Sequence, residues 1–249
     1  MQAGSIQVLP GRVLEAGVAT NASQLLAAQR LRYDVFSAEY GADLDAHAGL
    51  DSDRFDDHCI HFIVRDIESS KVVATSRLLL DRDITETDGF YSETEFELAA
   101  LKATPGSFAE LGRTCVHPDY RRTSALSQLW SAVYASLLEN DVDYLIGCAS
   151  ISMIDGGHRA WMVAQQLQQH HLVEPQFVVQ PRRELPHIAF SSGRVRAVAV
   201  PPLIRIYLKL GAQVCGRPCW DPSFRCADLL MLLRVGALGE RHARRFRRS

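Results

Sequence analysis

Apolar residues at helical spacing stand out first. Leu25, Leu26, Gln29, Arg32, Tyr33 and Phe36 fall on adjoining helical positions behind the capping candidates Asn21 and Ser23, which predicts an amphipathic helix over 21–40. Leu126, Leu129, Trp130, Val133, Tyr134, Leu137 and Leu138 follow the i, i+3, i+4, i+7 rule and predict a second helix over 124–140. Two β-rich runs, 60–67 and 72–80, are separated by Glu68-Ser69-Ser70-Lys71 and read as a hairpin. Leu111, Cys115 and Val116 belong to a further strand, ended by His117-Pro118-Asp119, and the continuous apolar run 144–149 is a buried one. Gly156-Gly157 opens a helix reaching about Leu172, with His170-His171 complementing its dipole at the end. Pro201 starts and Gly211 stops another helix, and 227–235 is a closing strand. The segment 81–105 is polar connection with one helical candidate around 92–101, and 174–200 shows little pattern. Interleaved helices and strands without repeats predict one α/β domain over 1–249 with a central sheet, an N-terminal extension over 1–20 and a tail over 236–249.

Composition narrows the function. A net charge of −2 argues against a nucleic-acid binder. No apolar run approaches the roughly 20 residues that span a bilayer, and MQAGSIQVLPG lacks a charged segment followed by an apolar one, so the expected location is the cytoplasm. The end, RHARRFRRS, carries five arginines and suits peripheral contact with the anionic inner face of the cytoplasmic membrane. Six cysteines in a chain without a secretion signal are expected as free thiols. Cys215, Cys219 and Cys226 with His242 match no standard zinc spacing, so no metal is expected.

The chemistry-bearing residues cluster in two places. Asp43, Asp45, Asp51, Asp53, Asp56 and Asp57 crowd the irregular stretch 41–57, but Phe55 and Asp56 stand where a calcium loop needs an oxygen ligand and a glycine. Such carboxylates suit a cationic substrate group or the arginines of the same fold. Glu110 and Arg113, three apart on a strand, share a face only if the strand bulges. Arg121 and Arg122 follow in the next turn, and no Gly-x-Ser-x-Gly elbow is present.

Arg32-x-x-x-Phe36, Asp53-Arg54-Phe55-Asp56, Arg77 within VVATSRLL and Glu110-x-x-Arg113, in this order, resemble the acyl-homoserine lactone synthases and their relatives. The phrases GFYSETEFEL (89–98), ELGRTCVHPDYR (110–121), LIGCAS (145–150) and GAQVCGRPCWD (211–221) resemble the ornithine N-acyltransferases more closely. The resemblance implies a GNAT-like domain with a mixed, mostly antiparallel sheet flanked by helices. It also implies transfer of a 3-hydroxyacyl chain from acyl carrier protein to the α-amine of L-ornithine, giving lyso-ornithine lipid. Tyr40-Gly41-Ala42 lacks the tryptophan of the lactone synthases. The turn Arg121-Arg122-Thr123-Ser124-Ala125 lacks the glycines that hold a pyrophosphate in acetyl-CoA-using relatives, which suits the single phosphate of phosphopantetheine.

On this resemblance no cofactor is needed, since the acyl-phosphopantetheine is a substrate. Glu110 is the candidate base, Arg113 joins it in the catalytic strand, and backbone N–H groups of Thr114, Cys115 and Val116 are candidates to hold the oxyanion. Arg121 and Arg122 would meet the donor phosphate or the acidic carrier surface. Asp53 and Asp56 suit the side-chain ammonium of ornithine, while Arg32, Arg77 or Arg113 pair with its carboxylate or brace those aspartates, near Phe36. An N-acyl amino acid synthase with another acceptor, a lactone synthase and a non-catalytic carrier- or membrane-binding module are the alternatives.

Overall fold

Strand pairing begins earlier than the hydropathy pattern shows. Residues 12–41, 49–186 and 198–238 are described by a computed structural model of the protein. Within the expected N-terminal extension, Leu14–Val18 forms an edge strand, β1. Its LEAGV sequence is too short for a legible alternation, and antiparallel pairing along the next strand makes it. Helix α1 (Ala22–Tyr40) starts at Asn21, whose side chain accepts the Gln24 N–H at 3.0 Å, and stops at Gly41 in the left-handed region. The predicted hairpin is β2 (Ile60–Asp66) and β3 (Val72–Leu80), with Asp66 accepting the Glu68 N–H in the turn.

The helix predicted around 92–101 does not form. The segment holds a 3-10 turn at Tyr91–Thr94, the short β4 (Phe96–Glu97) and a single helical turn, α2 (Ala99–Lys102). Tertiary burial overrides local propensity here, because Phe90, Phe96, Leu98 and Leu101 all enter one core cluster. There follow β5 (Phe108–Val116), α3 (Ala125–Glu139), β6 (Tyr144–Ser152) and α4 (His158–His171). The remainder comprises β7 (Gln180–Pro181), α5 (Pro202–Leu210), β8 (Gln213–Val214), β9 (Cys219–Asp221) and β10 (Cys226–Arg234). The Arg-rich end, His242, Asp43 and Asp45 lie outside the described residues.

The main sheet has eight strands in the order β1-β2-β3-β5-β6-β10-β8, with β9 also on β10. Every pairing is antiparallel except β5 with β6. That parallel pair is short: Phe108, Ala109 and Glu110 face Tyr144, Leu145 and Ile146, after which the two strands no longer pair with each other. At the point of divergence Gly147 has no side chain to spare, because a Cβ there would lie 2.3 Å from the Leu111 carbonyl oxygen. Two apolar layers cover the sheet. Leu129, Trp130, Val133 and Leu137 of α3 pack with Val163 and Leu167 of α4 in one cluster, and Phe90, Phe96, Phe108 and Phe177 lie in the other.

Candidate active site

A cavity of about 750 Å³ opens where β5 and β6 part. Its walls come from α1, β5, β6, β10, α5 and the turn after β5. Its lining by Leu126, Trp130, Ala149, Ile204, Ala212 and Leu233, all in or packed on the core cluster around α3, is termed the apolar arm. Its lining by Tyr91, Glu110, Arg113, Cys148, Asp221 and Asp228 is termed the polar arm.

A bulge in β5 builds the polar arm. Cys115 faces Thr75 and Gly112 faces Arg77, so three steps on β5 match two on β3. Arg113 takes up the extra residue at φ 52°. The slip brings Glu110 and Arg113 to the same cavity, the joint placement that a regular strand forbids. Ser76 supports the bulge, its hydroxyl donating to the Gly112 carbonyl at 3.1 Å and lying 2.7 Å from the Thr114 hydroxyl.

The acidic loop and three arginines neutralise one another. Arg32 donates to Asp51 at 2.8 Å and to both carboxylate oxygens of Asp56 at 3.0 and 2.8 Å. Arg77 bridges Asp53 at 2.5 and 2.7 Å and Asp56 at 2.6 Å. Arg113 completes the array with Asp51 and Asp53, each at 3.1 Å. Burial opposes ionisation of Asp56, but hydrogen bonds and charge from Arg32 and Arg77 outweigh it and hold this carboxyl far below its ordinary range. Asp53 is lowered likewise, burial being overcome by Arg77 and then Arg113.

This arrangement changes the expected role of Asp53 and Asp56. Their charge is committed to Arg77, Arg32 and Arg113, and neither lines the cavity, so they brace arginines instead of offering a seat to a substrate ammonium. Arg32, almost fully buried, is also outside the cavity wall, whereas Phe36, Arg77 and Arg113 are part of it. Arg113 lies over the rings of Tyr91 and Phe224 at 5.1 and 4.9 Å.

Glu110 is the last β5 residue paired with β6 and stands at the apex of the cleft. Its carboxylate accepts the Tyr91 N–H at 2.6 Å and the Ser92 N–H at 2.8 Å, which pins the 91–94 turn beside the cavity. Burial raises its pKa despite the Ser92 and Tyr91 hydrogen bonds and the charge of Arg77. Beyond it, Thr114, Cys115 and Val116 line the cavity on the unpaired edge. Burial pushes the Cys115 thiol far up, which disfavours the nucleophilic thiolate. Arg121 and Arg122 border the same cavity; Arg121 pairs with Glu39, and Arg122 is exposed with no ion pair among the described residues.

Three carboxylates escaped the sequence reading. Glu95, Asp221 and Asp228 are buried, and Asp221 and Asp228 line the polar arm. Asp228 interrupts the apolar run CADLLMLLR, the one local hint that it has work besides packing. It accepts from the Ser150 hydroxyl at 2.5 Å and from the Cys226 thiol at 3.5 Å. Burial raises Glu95 and Asp228, and their neighbouring carboxylates raise them further. Ligand atoms of Asp221, Cys226 and Asp228 lie within 4.8 Å of one another, a different grouping from the cysteines weighed for zinc.

Comparison with known proteins agrees with the fold. Residues 31–131 match the family model for an acetyltransferase (GNAT) domain. An L-ornithine N(alpha)-acyltransferase of Rhizobium meliloti (strain 1021) is 34% identical over 252 residues, covering 93% of this chain and 84% of the relative. Another, from Rhodobacter capsulatus, is 32% identical over 240 residues, covering 92% of each. Among solved structures, FeeM, an N-acyl amino acid synthase from uncultured soil microbes, has a TM-score of 0.57 at 16% identity and covers 91% of this chain and 93% of its own. The CoA-dependent acyl-homoserine lactone synthase BjaI has the same score and identity, covering 96% and 89%. At such low identity these two establish the fold.

Proposed function

The chain belongs to the L-ornithine N(alpha)-acyltransferases, acyltransferases of GNAT fold, and from that premise we propose that it transfers a 3-hydroxyacyl chain from acyl carrier protein to the α-amine of L-ornithine. The product is lyso-ornithine lipid. The observation that carries the reading is the two-armed cavity at the β5–β6 divergence, apolar on one side and rich in charge on the other.

The apolar arm takes the acyl chain, which gains about 0.8 kcal/mol for each CH₂ removed from water. The phosphopantetheine runs along the unpaired edges of β5 and β6, and N–H groups of Thr114, Cys115 or Val116 meet the thioester oxygen as it becomes an oxyanion. Arg122, with Arg121 beside it, meets the donor phosphate or the acidic carrier surface at the rim. Arg113 pairs with the acceptor carboxylate: it faces the cavity where Arg32 does not, and Asp51 and Asp53 hold its fork in place.

A thioester is already activated, so the chain supplies placement and an unprotonated amine. Glu110 removes the amine proton, directly or through water. Its raised pKa brings it closer to the working pH, and general-base help is typically worth about 10²–10⁴-fold. The nitrogen then attacks the carbonyl, the tetrahedral intermediate collapses, and the thiol of the pantetheine leaves.

The test is mass spectrometry of lipids from a heterologous bacterium with and without this protein, repeated with Glu110→Gln. A new N-(3-hydroxyacyl)ornithine that disappears with the variant supports the reading. Soluble protein without a new acylated amine shifts weight to a carrier- or membrane-binding module, and full activity of Glu110→Gln removes Glu110 as the base. Purified enzyme offered acyl carrier protein or acyl-CoA then identifies the donor.

A further inference from the structure

Two sets of buried carboxylates differ in how they are balanced. Asp51, Asp53 and Asp56 each pair with arginine. Glu95, Asp221 and Asp228 have relative exposures of 1%, 5% and 2%, yet no described cation lies within ion-pair distance of any of them. Burying a carboxylate without a partner is costly. Asp221 uses Oδ1 to accept the Ser223 and Phe224 N–H groups at 2.8 and 3.1 Å, while its Oδ2 meets no described donor and the residue lines the cavity. Tyr91 connects the halves of the polar arm, with Arg113 over its ring and the field of Glu95, Asp228 and Asp221 acting on its hydroxyl. The cavity thus has Arg113, held by Asp51 and Asp53, on one side, and on the other Asp221 and Asp228 with no described cation within ion-pair distance.

We propose that Asp221 and Asp228 form the acceptor-selecting subsite and bind the side-chain ammonium of the amino acid. The proposal deepens the N-acyltransferase reading and rests on it. With the carboxylate held at Arg113 and the distal ammonium held at Asp221 and Asp228, the α-amine is presented to the thioester near Glu110, so the wrong amine is not acylated. An ammonium brings three donors and a positive charge, which match the Asp221 Oδ2 that meets no described donor and the lack of a described cation beside Asp221 and Asp228. The same carboxylates, with Cys226, are close enough together to hold a metal ion, an outcome that metal analysis of the purified protein separates.

The experiment compares kcat/KM for L-ornithine and L-norvaline, which has the same chain without the terminal amine, using purified enzyme and a 3-hydroxyacyl carrier protein. The wild type should favour ornithine on the order of 10²-fold or more. Asp221→Asn should cut this preference by at least about tenfold through KM for ornithine, with a distinctly smaller effect on norvaline. Asp228→Asn is the second variant, should Asp221→Asn fold poorly, with the same expected direction. Unchanged preference in both variants overturns the proposal, as does an equal loss on both acceptors, which is the mark of a structural role. Stoichiometric zinc lost together with activity in Asp221→Asn overturns it in favour of a metal site. If the wild type acylates neither acceptor but does acylate another amine, the ornithine reading itself falls.

Discussion

Arg113 reaches Asp51 at 3.1 Å from a left-handed bulge position in β5, so one residue ties the strand that opens the cavity to the acidic loop more than sixty positions earlier. A side chain at φ 52° is strained, and the ion pairs with Asp51 and Asp53 hold it there. Arg113→Ala should destabilise the protein by about 3–5 kcal/mol, because Asp51 keeps its buried charge with less compensation. Arg113→Lys should recover part of that stability and little turnover, since an ammonium cannot span two carboxylates as a guanidinium fork does. Denaturant titration and turnover, measured together, check both.

The two carboxylate sets predict opposite responses to pH. Asp53 and Asp56 have folded pKa values below the unfolded ones, so their contribution is complete above about pH 4 and is lost as pH falls through the folded values. Glu95 and Asp228 are raised, so their penalty is absent below about pH 4 and grows as pH climbs toward their folded values. Asp228→Asn, which keeps the oxygen that accepts from Ser150, should therefore stabilise the ligand-free enzyme at pH 8 by about 1–3 kcal/mol. The gain should vanish near pH 4. Chemical denaturation across this range would refute the assignment if the variant were no more stable at pH 8 than at pH 4, relative to wild type.

Gly147 is required by close approach. Adding a methyl puts Cβ 2.3 Å from the Leu111 carbonyl oxygen, so Gly147→Ala should cost about 1–3 kcal/mol and widen the cleft at its apex. Gly17→Ala on β1, where nothing lies within 4 Å, is the control and should fall within about 0.5 kcal/mol of wild type.

The apolar arm should set donor length. Ala212→Leu places extra bulk in this arm and should lower kcat/KM for long acyl donors while sparing short ones. Each CH₂ denied burial is worth about 0.8 kcal/mol, close to a fourfold change. A series of carrier-linked acyl chains read by product mass gives the profile, and a uniform loss at every length would place the chain elsewhere.

Arg122 is exposed at the cavity rim without an ion pair among the described residues, unlike Arg121, which is held by Glu39. Arg122→Glu should raise KM for the carrier-bound donor severalfold at low ionic strength, with a smaller effect in high salt. An unchanged KM at low salt removes Arg122 from the donor site. No described helix is long and apolar enough to cross a membrane.

Much of the fold was legible because its signals are local. The helix over 21–40 announces itself through Asn21 and its spacing of apolar residues, and the hairpin through Glu68 to Lys71. The helical candidate around 92–101 misleads for the complementary reason: its propensity yields to the burial of Phe96 and Leu98 and to the Glu110 carboxylate, which takes the Tyr91 and Ser92 N–H groups. Edge strand β1 depends on a partner more than forty residues away, and LEAGV carries no trace of it.

The candidate site divides in the same way. Sequence alone determined which phrases are present, including Arg32, the Asp53–Asp56 stretch, Arg77 and Glu110-x-x-Arg113, and with them the family. Tertiary structure decided the assignment of charge: Asp53 and Asp56 are neutralised by arginines, while Glu95 is brought beside Asp221 and Asp228, far from it in sequence, with no described cation among them. Capping and periodicity act between residues a few positions apart, whereas burial, strand slip and ion pairing depend on which distant segments meet, and only the folded chain brings those together.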